Sequence, residues 1–200
     1  MKGFLKRDWA LLSINLWFYL LFILMMCGLS MYAKLTSGFA SLYLVIFSAI
    51  SIMNLFAYDE ANRWMGYAVA APNGRRVMVD ARYFLALCIG AVIMVIEFIM
   101  GRPGRESTTL ALMCGGVFFL YTAIVLPVFY RFGSVKSRIV LIIIMAAFGA
   151  AAGVMGSMLT KEVVQDDRFP GMPQLTLTLG VIALLISWPI SRAIVRNKEF

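Results

Sequence analysis

The sequence predicts an all-α membrane protein with six transmembrane helices and short amphipathic helices on the cytoplasmic side. Three observations predict this. The chain of 200 residues is 62% hydrophobic and only 14% charged, whereas a soluble domain carries about 25% charged residues. Six apolar runs approach or exceed the roughly 18 residues that a membrane-spanning helix needs. The basic residues between these runs fall mostly on one side of the predicted membrane.

The six runs divide the whole chain into spans and short connections, and each is bounded by charged residues, Gly or Pro. They are residues 14–31, 39–57, 83–100, 108–129, 139–159 and 175–190. We expect the last run to extend by a few residues at each end, because it is the shortest. The first run exceeds the apolar region of about 7–15 residues in a cleaved signal peptide, so we interpret it as a signal anchor.

The distribution of Lys and Arg predicts the orientation. Thirteen lie on the side that also holds both termini and five on the other side, and basic residues near span ends are retained in the cytoplasm. Both termini and the connection 58–82 are therefore predicted to be cytoplasmic. We attribute the net charge of +8 to this topology and to contact with anionic lipid head groups. Nucleic acid is not an expected partner, since it would need a basic face on a folded soluble domain.

The residues that the sequence lacks exclude most enzymes. It contains no His, which removes Ser-His-Asp hydrolases, His-ligated haem and most zinc sites. No G-x-x-x-x-G-K-[ST] stretch is present, so the chain has no phosphate-binding loop for ATP. We expect no catalytic residue, metal or cofactor on this chain. If ATP drives its function, a separate polypeptide must hydrolyse it.

Glu97 is the acidic residue that lies well inside an apolar run. A charged group at membrane depth is a functional candidate, and Glu97 could line the path of a cargo. The alternative is that its carboxylate reaches the outer interface, where Arg102 and Arg105 follow in the sequence; its position one turn from the outer end of the helix favours that alternative.

The connection 58–82 carries the most distinctive polar pattern. Asp59 and Glu60 would suit the first turn of a helix, where the dipole favours acids. Helical spacing of i, i+3, i+4 and i+7 then predicts one amphipathic stripe, formed by Trp64, Tyr67, Ala68 and Ala71. Pro72 and the Asn-Gly pair after it end this helix. The stripe could rest in the lipid interface, pack under its own bundle or dock into a groove on a partner.

Three further surfaces have two interpretations each. The N-terminal face of Phe4, Leu5, Trp9 and Leu12 fits an interfacial helix that anchors the chain or contacts a partner. The fifth span has small residues at Gly149, Gly153 and Gly156, which allow another helix to approach closely. That helix could belong to the same chain or lie across a dimer seam. The bulky first span offers a soft surface for apolar cargo, or for lipid and core packing, at Trp17, Phe18, Phe22 and Met25.

The run YDEANRWMGYAVAAPNGRRVMVDARYF resembles a signature of type-2 ABC exporter permeases of the small, six-span bacterial kind. The matching residues are Phe56, Asp59, Glu60, Trp64, Pro72, Arg75, Arg76, Val79, Arg82 and Tyr83. The N-terminus MKGFLKRDWALL is similar to the amphipathic opening of the same permeases. The chain departs from the family where Leu-Pro-Val-Ser-Arg is common, since it reads Ala-Ala-Pro-Asn-Gly-Arg there.

The resemblance implies a non-catalytic permease subunit in the bacterial cytoplasmic membrane. Its partners would be a second permease, identical or homologous, and two ATPase subunits that bind ATP and Mg. The cytoplasmic segment would be the coupling helix, with its site at Asp59, Glu60, Arg63, Trp64, Tyr67, Pro72, Arg75 and Arg76. Within it we expect Trp64 to be the anchor, because buried aromatics dominate interfaces, and Glu60 and Arg63 to form a charged rim.

The direction and cargo of transport also come from the resemblance. It implies export, and the permeases most similar in layout are those of the phenol-soluble modulin exporters, which expel amphipathic peptides. The fifth span would then face the second permease. The alternative function is the substrate-binding membrane component of an energy-coupling-factor importer. Such components resemble one another in an Ala-x-x-x-Ala first helix, and the first span here lacks that repeat.

Overall fold

A computed structural model describes residues 3, 6–11, 13, 17, 21, 24, 37–70, 73–100, 105–158 and 171–197. The elements are five helices: α1 (Ser37–Ala61), α2 (Trp64–Ala70), α3 (Gly74–Met100), α4 (Arg105–Met158) and α5 (Met172–Arg196). Residues 6–11 are helical as well, and no strand occurs in these ranges. The predicted all-α class is confirmed for this part of the chain.

Helix α4 is two helical arms joined by a sharp turn. Its 54 residues would form a straight rod of about 80 Å, far longer than the roughly 30 Å hydrocarbon core. At Gly133 the backbone has φ 78° and ψ −179°, a conformation essentially confined to glycine. The Ser137 hydroxyl donates to the Val128 carbonyl at 3.0 Å, although residues nine apart in a straight helix are separated by about 13 Å. The chain therefore folds back at Gly133.

Three described helices are long and apolar enough to cross a membrane: Gly74–Ile99, Ala111–Ser134 and Pro173–Arg196. They correspond to the third, fourth and sixth predicted spans. The predicted second span, 39–57, lies inside α1, and most of the fifth lies in the arm 134–158. Most of the first span, 14–31, lies outside the described residues. A count of six spans stays a prediction.

Two helix boundaries differ from the sequence prediction. Helix α1 continues through Asp59 and Glu60 to Ala61, so these acids end a helix and the expectation that they begin one is wrong. The helix stops where Arg63 adopts φ 50°. Helix α3 begins at Gly74, well before the predicted start of the third span at residue 83. The apolar run marks the hydrocarbon layer, whereas the helix extends beyond it.

The core lies where the first arm of α4 packs against α5 and α3. Its largest fully buried side chains include Tyr83, Tyr130, Phe56, Phe118 and Phe129. Helices α4 and α5 approach so closely that a Cβ on Gly180 would lie 2.6 Å from the Gly116 carbonyl oxygen. This within-chain contact between small residues was not predicted from the sequence.

Candidate functional site

Four charged side chains from three parts of the chain form a buried cluster, which we call the charge cluster: Arg7, Asp8, Asp59 and Arg82. The Arg82 Nε donates to Asp8 Oδ2 at 2.9 Å, and its Nη2 donates to Asp59 Oδ2. The Arg7 Nη2 donates to the other Asp59 oxygen. The Arg82 and Asp59 side chains are only 3% and 1% exposed. The cluster thus joins the N-terminal segment, the end of α1 and the first half of α3.

Pairing explains how these charges tolerate burial. Removing an ion from water costs several kcal/mol, which a well-placed opposite charge must offset. Two guanidinium groups and two carboxylates balance one another here. Burial raises the pKa of the Asp8 carboxyl above its ordinary value, while the Arg82 guanidinium opposes that rise. Two acids close to the negative end of the α1 dipole are unfavourable by themselves, and contacts with other elements compensate for that position.

Aromatic rings extend the charge cluster to α2. The Arg7 guanidinium lies 4.1 Å from the centroid of the Trp64 ring, and that of Arg82 lies 4.6 Å from the Phe56 ring. Cations over aromatic faces attract the ring quadrupole, more strongly when both groups are desolvated. Because Trp64 begins α2, this short helix is attached to the same charges that join α1 and α3.

The neighbouring acid Glu60 contacts a different element. Its Oε2 accepts a hydrogen bond from the Ser134 backbone N–H at 2.7 Å. Ser134 starts the second arm of α4, so the carboxylate satisfies one of the N–H groups that a helix leaves without an intrahelical acceptor. A Cβ on Gly133 would lie 3.5 Å from Glu60 Oε1. Asp59 and Glu60 therefore tie the end of α1 to α3 and to the α4 turn, respectively.

The buried and exposed residues of α2 differ from those of the predicted amphipathic stripe. Ala68 is buried, and Trp64 is half-buried and packs against the hydrophobic core. Tyr67 is 71% exposed, and Gly66 and Ala70 are exposed beside it. The prediction that Trp64 and Tyr67 share one face with Ala68 is wrong, because the inward stripe holds Trp64 and Ala68 while Tyr67 points away.

A buried hydroxyl chain joins α3, α4 and α5. The Ser187 hydroxyl donates to the Ala123 carbonyl at 2.6 Å, and Tyr83 Oη lies 2.7 Å from both Ser187 Oγ and Ser191 Oγ. Since the Ser187 proton is used on Ala123, Tyr83 donates to Ser187 and accepts from Ser191. This chain satisfies three hydroxyl groups in a region where water is scarce.

One helical turn away, the Asp80 carboxylate links α3 to the end of α5. It accepts hydrogen bonds from Trp188 Nε1 at 2.8 Å and Arg192 Nε at 2.7 Å. The Trp188 ring also stacks on Tyr83, with centroids 5.4 Å apart. Helices α3 and α5 are therefore held together by both buried and half-exposed polar contacts.

The family model described as ABC-2 family transporter protein matches residues 3–196. The chain belongs to this family. No curated protein and no solved structure matches it. The chain is therefore a transmembrane permease component of an ABC transporter, in a family whose members are generally non-catalytic and work with an ATPase. Within the described ranges of this permease, no three metal-binding side chains of His, Cys, Asp or Glu come together.

The predicted coupling residues of the permease have different environments. Arg63 and Arg76 are exposed, whereas Arg75 donates to the Arg196 carbonyl near the end of α5. Pro72 lies outside the described residues. The roles of these residues toward an ATPase stay predictions.

The other predicted positions are only partly described. Trp17 is 77% exposed, whereas Glu97 is 6% exposed and has a polar or electrostatic partner. Gly149, Gly153 and Gly156 belong to the helical arm 134–158. Phe18, Phe22 and Met25 lie outside the described residues. The proposed cargo lining and dimer seam stay predictions.

The charge cluster and the hydroxyl chain of the permease were not predicted from the sequence. One signal could have found Arg82: it shares the helical stripe of the buried residues Met78, Val79 and Ala86 on α3. A cation on an apolar stripe requires a buried opposite charge. Ser187 and Ser191 are spaced i, i+4, which places both hydroxyls on one face of the last span. The identity of their partners required the three-dimensional fold.

Proposed function

We propose that this ABC-2 permease is the membrane subunit of an ATP-driven exporter and that α2 transmits the motion of a separate ATPase to the spans. The observation that carries this proposal is the contact between Trp64 and Arg7. Arg7 bonds Asp59, and Asp59 bonds Arg82. A displacement of α2 would therefore reach the N-terminal segment, α1 and α3 through one buried cluster.

Two further contacts would spread the same displacement. The bond from Ser134 to Glu60 connects the end of α1 to the turn of α4. The bond from Arg75 to Arg196 connects the start of α3 to the end of α5. Packed elements with specific polar links move as units more readily than they deform. These links support α2 as the coupling helix.

For the assembly we propose two ATPase subunits and a second permease, identical or homologous, that meets the arm 134–158. The seam glycines Gly149, Gly153 and Gly156 follow Ile142 at intervals of 7, 11 and 14 residues, which places them on one helical stripe. Ile142 is 68% exposed, so the described end of this stripe faces away from the chain. A cysteine at position 153 should form crosslinks between two permeases; crosslinks confined to one chain would contradict the seam.

For the cargo we propose hydrophobic or amphipathic peptides, as in the phenol-soluble modulin exporters that the sequence resembles. The large apolar side chain of Trp17 is exposed and suits contact with an amphipathic partner. Glu97 is the candidate polar residue of the path. The ABC-2 match over residues 3–196 favours this exporter over the energy-coupling-factor importer.

Co-purification tests the function. We expect a neighbouring reading frame to encode a P-loop ATPase. The permease should purify with that ATPase, and ATP hydrolysis should require it. Hydrolysis by the pure permease, or failure of the two chains to associate, would contradict the proposal.

Cysteine labelling tests the proposed cytoplasmic location of both termini and residues 58–82. In a cysteine-free variant, cysteines at positions 62 and 73 should react with an impermeant maleimide only after cells are opened. Reaction in intact cells would reverse the orientation.

A further inference from the structure

We infer that Tyr67, and not Trp64, is the side chain of α2 that enters the ATPase, and that the receiving cleft has an apolar centre and an acidic rim. The inference rests on the proposed function of α2 as the coupling helix. It assigns separate roles to the two aromatic residues of α2. Trp64 packs against the rest of the permease and holds the helix in place, and Tyr67 contacts the partner.

The environments of the two rings support this division. Trp64 lies under the Arg7 guanidinium and packs against the core, so its ring is already engaged within the chain. Ala68 follows on the same side and is 2% exposed. Tyr67 is 71% exposed. Of the two aromatic rings of α2, Tyr67 presents the larger surface that a partner could bury.

The surroundings of Tyr67 suit insertion into a cleft. Gly66, Tyr67 and Ala70 lie on one side of α2, at i, i+1 and i+4, and Arg63 comes immediately before the helix. All four residues are exposed, and a Cβ built on Gly66 would meet nothing within 4 Å. On this side of α2 the described neighbours of Tyr67 are the small residues Gly66 and Ala70, so its ring is the largest described side chain there. A single projecting aromatic that fills a pocket is typical of a binding hot spot.

The charges near this face predict an acidic partner. Among the described acids at this end of the molecule, Asp8 and Asp59 are buried in the charge cluster, Glu60 binds Ser134 and Asp80 binds Arg192. The exposed cations include Arg63, Arg76, Lys136 and Arg138, and none of these forms an ion pair with a described residue. Glu60 is exposed as well, but these four exposed cations outnumber it. The accessible charge of the described residues here is therefore predominantly positive, and a complementary surface carries carboxylates.

Anionic lipid would also complement these cations, but the described outward side of α2, at Gly66, Tyr67 and Ala70, carries one large side chain. Such helices bury a broad apolar face with several large residues. Here Trp64, the residue best suited to the interface, faces the core, and Gly66 and Ala70 contribute little area. The exposed face fits a protein cleft better than a lipid surface.

The first test uses the permease in phosphatidylcholine nanodiscs and the neighbouring P-loop ATPase. Tyr67→Ala should raise the dissociation constant of the complex about thirtyfold, which is the change expected when a binding hot spot is truncated. Arg63→Glu should weaken association and reduce its sensitivity to salt. The control Phe98→Ala removes a 60% exposed aromatic at the opposite end of α3 and should leave association unchanged. Full association of the Tyr67 variant would overturn the inference.

A second test separates protein from lipid contact without any activity. In a cysteine-free permease, a cysteine at position 67 should react with a hydrophilic maleimide when the ATPase is absent and be protected when it is bound. A cysteine that is shielded without the ATPase would show that lipid covers it, which overturns the inference. If the wild-type permease binds no ATPase, the proposed function itself fails. If it binds and residue 67 is not protected, only the inference fails.

Discussion

Asp59 and Arg82 form a buried ion pair that joins the end of α1 to α3 across 23 residues of sequence. Both side chains are almost completely inaccessible, so each is the counter-charge that makes burial of the other tolerable. Asp8 and Arg7 complete the cluster. The pair therefore connects the stability of this end of the helices with the proposed path of coupling, since Trp64 of α2 contacts the same charge cluster.

Replacing Asp59 with Asn should destabilise the permease strongly. The change leaves the two guanidinium groups with one carboxylate, and an uncompensated buried charge costs about 3–5 kcal/mol. Asp80→Asn is the matched control, because Asp80 pairs with Arg192 closer to the surface: the Arg192 side chain is 45% exposed and that of Asp80 is 21% exposed. Exposed ion pairs contribute about 1 kcal/mol or less. Thermal unfolding in detergent measures both. Equal losses of stability would contradict the role of the cluster.

The contribution of Asp8 to stability should decrease as pH rises. Burial raises the pKa of its carboxyl, so the folded state holds the proton more tightly than the unfolded state. The resulting stabilisation is fully present below the unfolded pKa of about 3.9 and is lost as pH rises through the raised folded pKa. The stability of the wild type relative to Asp8→Asn should therefore fall as pH rises above about 4. A difference that stays constant or grows would contradict this assignment.

Gly180→Ala should disturb the crossing of α4 and α5. The new Cβ would lie 2.6 Å from a backbone oxygen of Gly116, which cannot move aside as a side chain can. Overpacking of this kind costs about 1–3 kcal/mol. Gly171→Ala is the control, since a Cβ there meets nothing within 4 Å. Thermal unfolding should separate the two variants, and an unaffected Gly180 variant would show that the helices are not in close contact.

Tyr83→Phe should loosen the contact between α3 and α5. It removes the hydroxyl that bonds Ser187 and Ser191, and hydrogen bonds between membrane helices contribute about 0.6 kcal/mol on average and about 1.7 at most. We expect a loss of about 1–2 kcal/mol. Tyr121→Phe is the control, because its hydroxyl reaches only the Met53 sulfur at 3.3 Å, a weak acceptor. Equal effects of both changes would contradict the hydroxyl chain.

The described spans could be predicted from sequence because hydrocarbon thickness imposes long apolar runs. This prediction is confirmed for α3, the first arm of α4 and α5. The orientation of α2 could not be predicted in the same way. In a helix of seven residues, alternative stripes include almost the same aromatic and small residues. The cation–π contact of Arg7 with Trp64 decided between them, and Arg7 lies 57 positions earlier in the chain.

The partners of Asp59 and Glu60 were also beyond sequence reasoning. Acids beside a predicted helix start agree with the dipole rule, and that local rule favoured a helix beginning there. In the structure, contacts with Arg82 and Ser134 override the rule. Both contacts join distant segments, so composition and spacing within 58–82 carry no sign of them.

Transport by inside-out membrane vesicles tests the central claim most directly. Vesicles that contain this permease and its neighbouring ATPase should accumulate a fluorescent amphipathic helical peptide when ATP and Mg are added. Accumulation should stop when the phosphate-binding Lys of the ATPase is replaced, and Tyr67→Ala should lower it while the permease remains inserted. Accumulation by the permease without a functional ATPase would contradict an ATP-driven exporter, as would ATP hydrolysis by the intact complex with no movement of peptide.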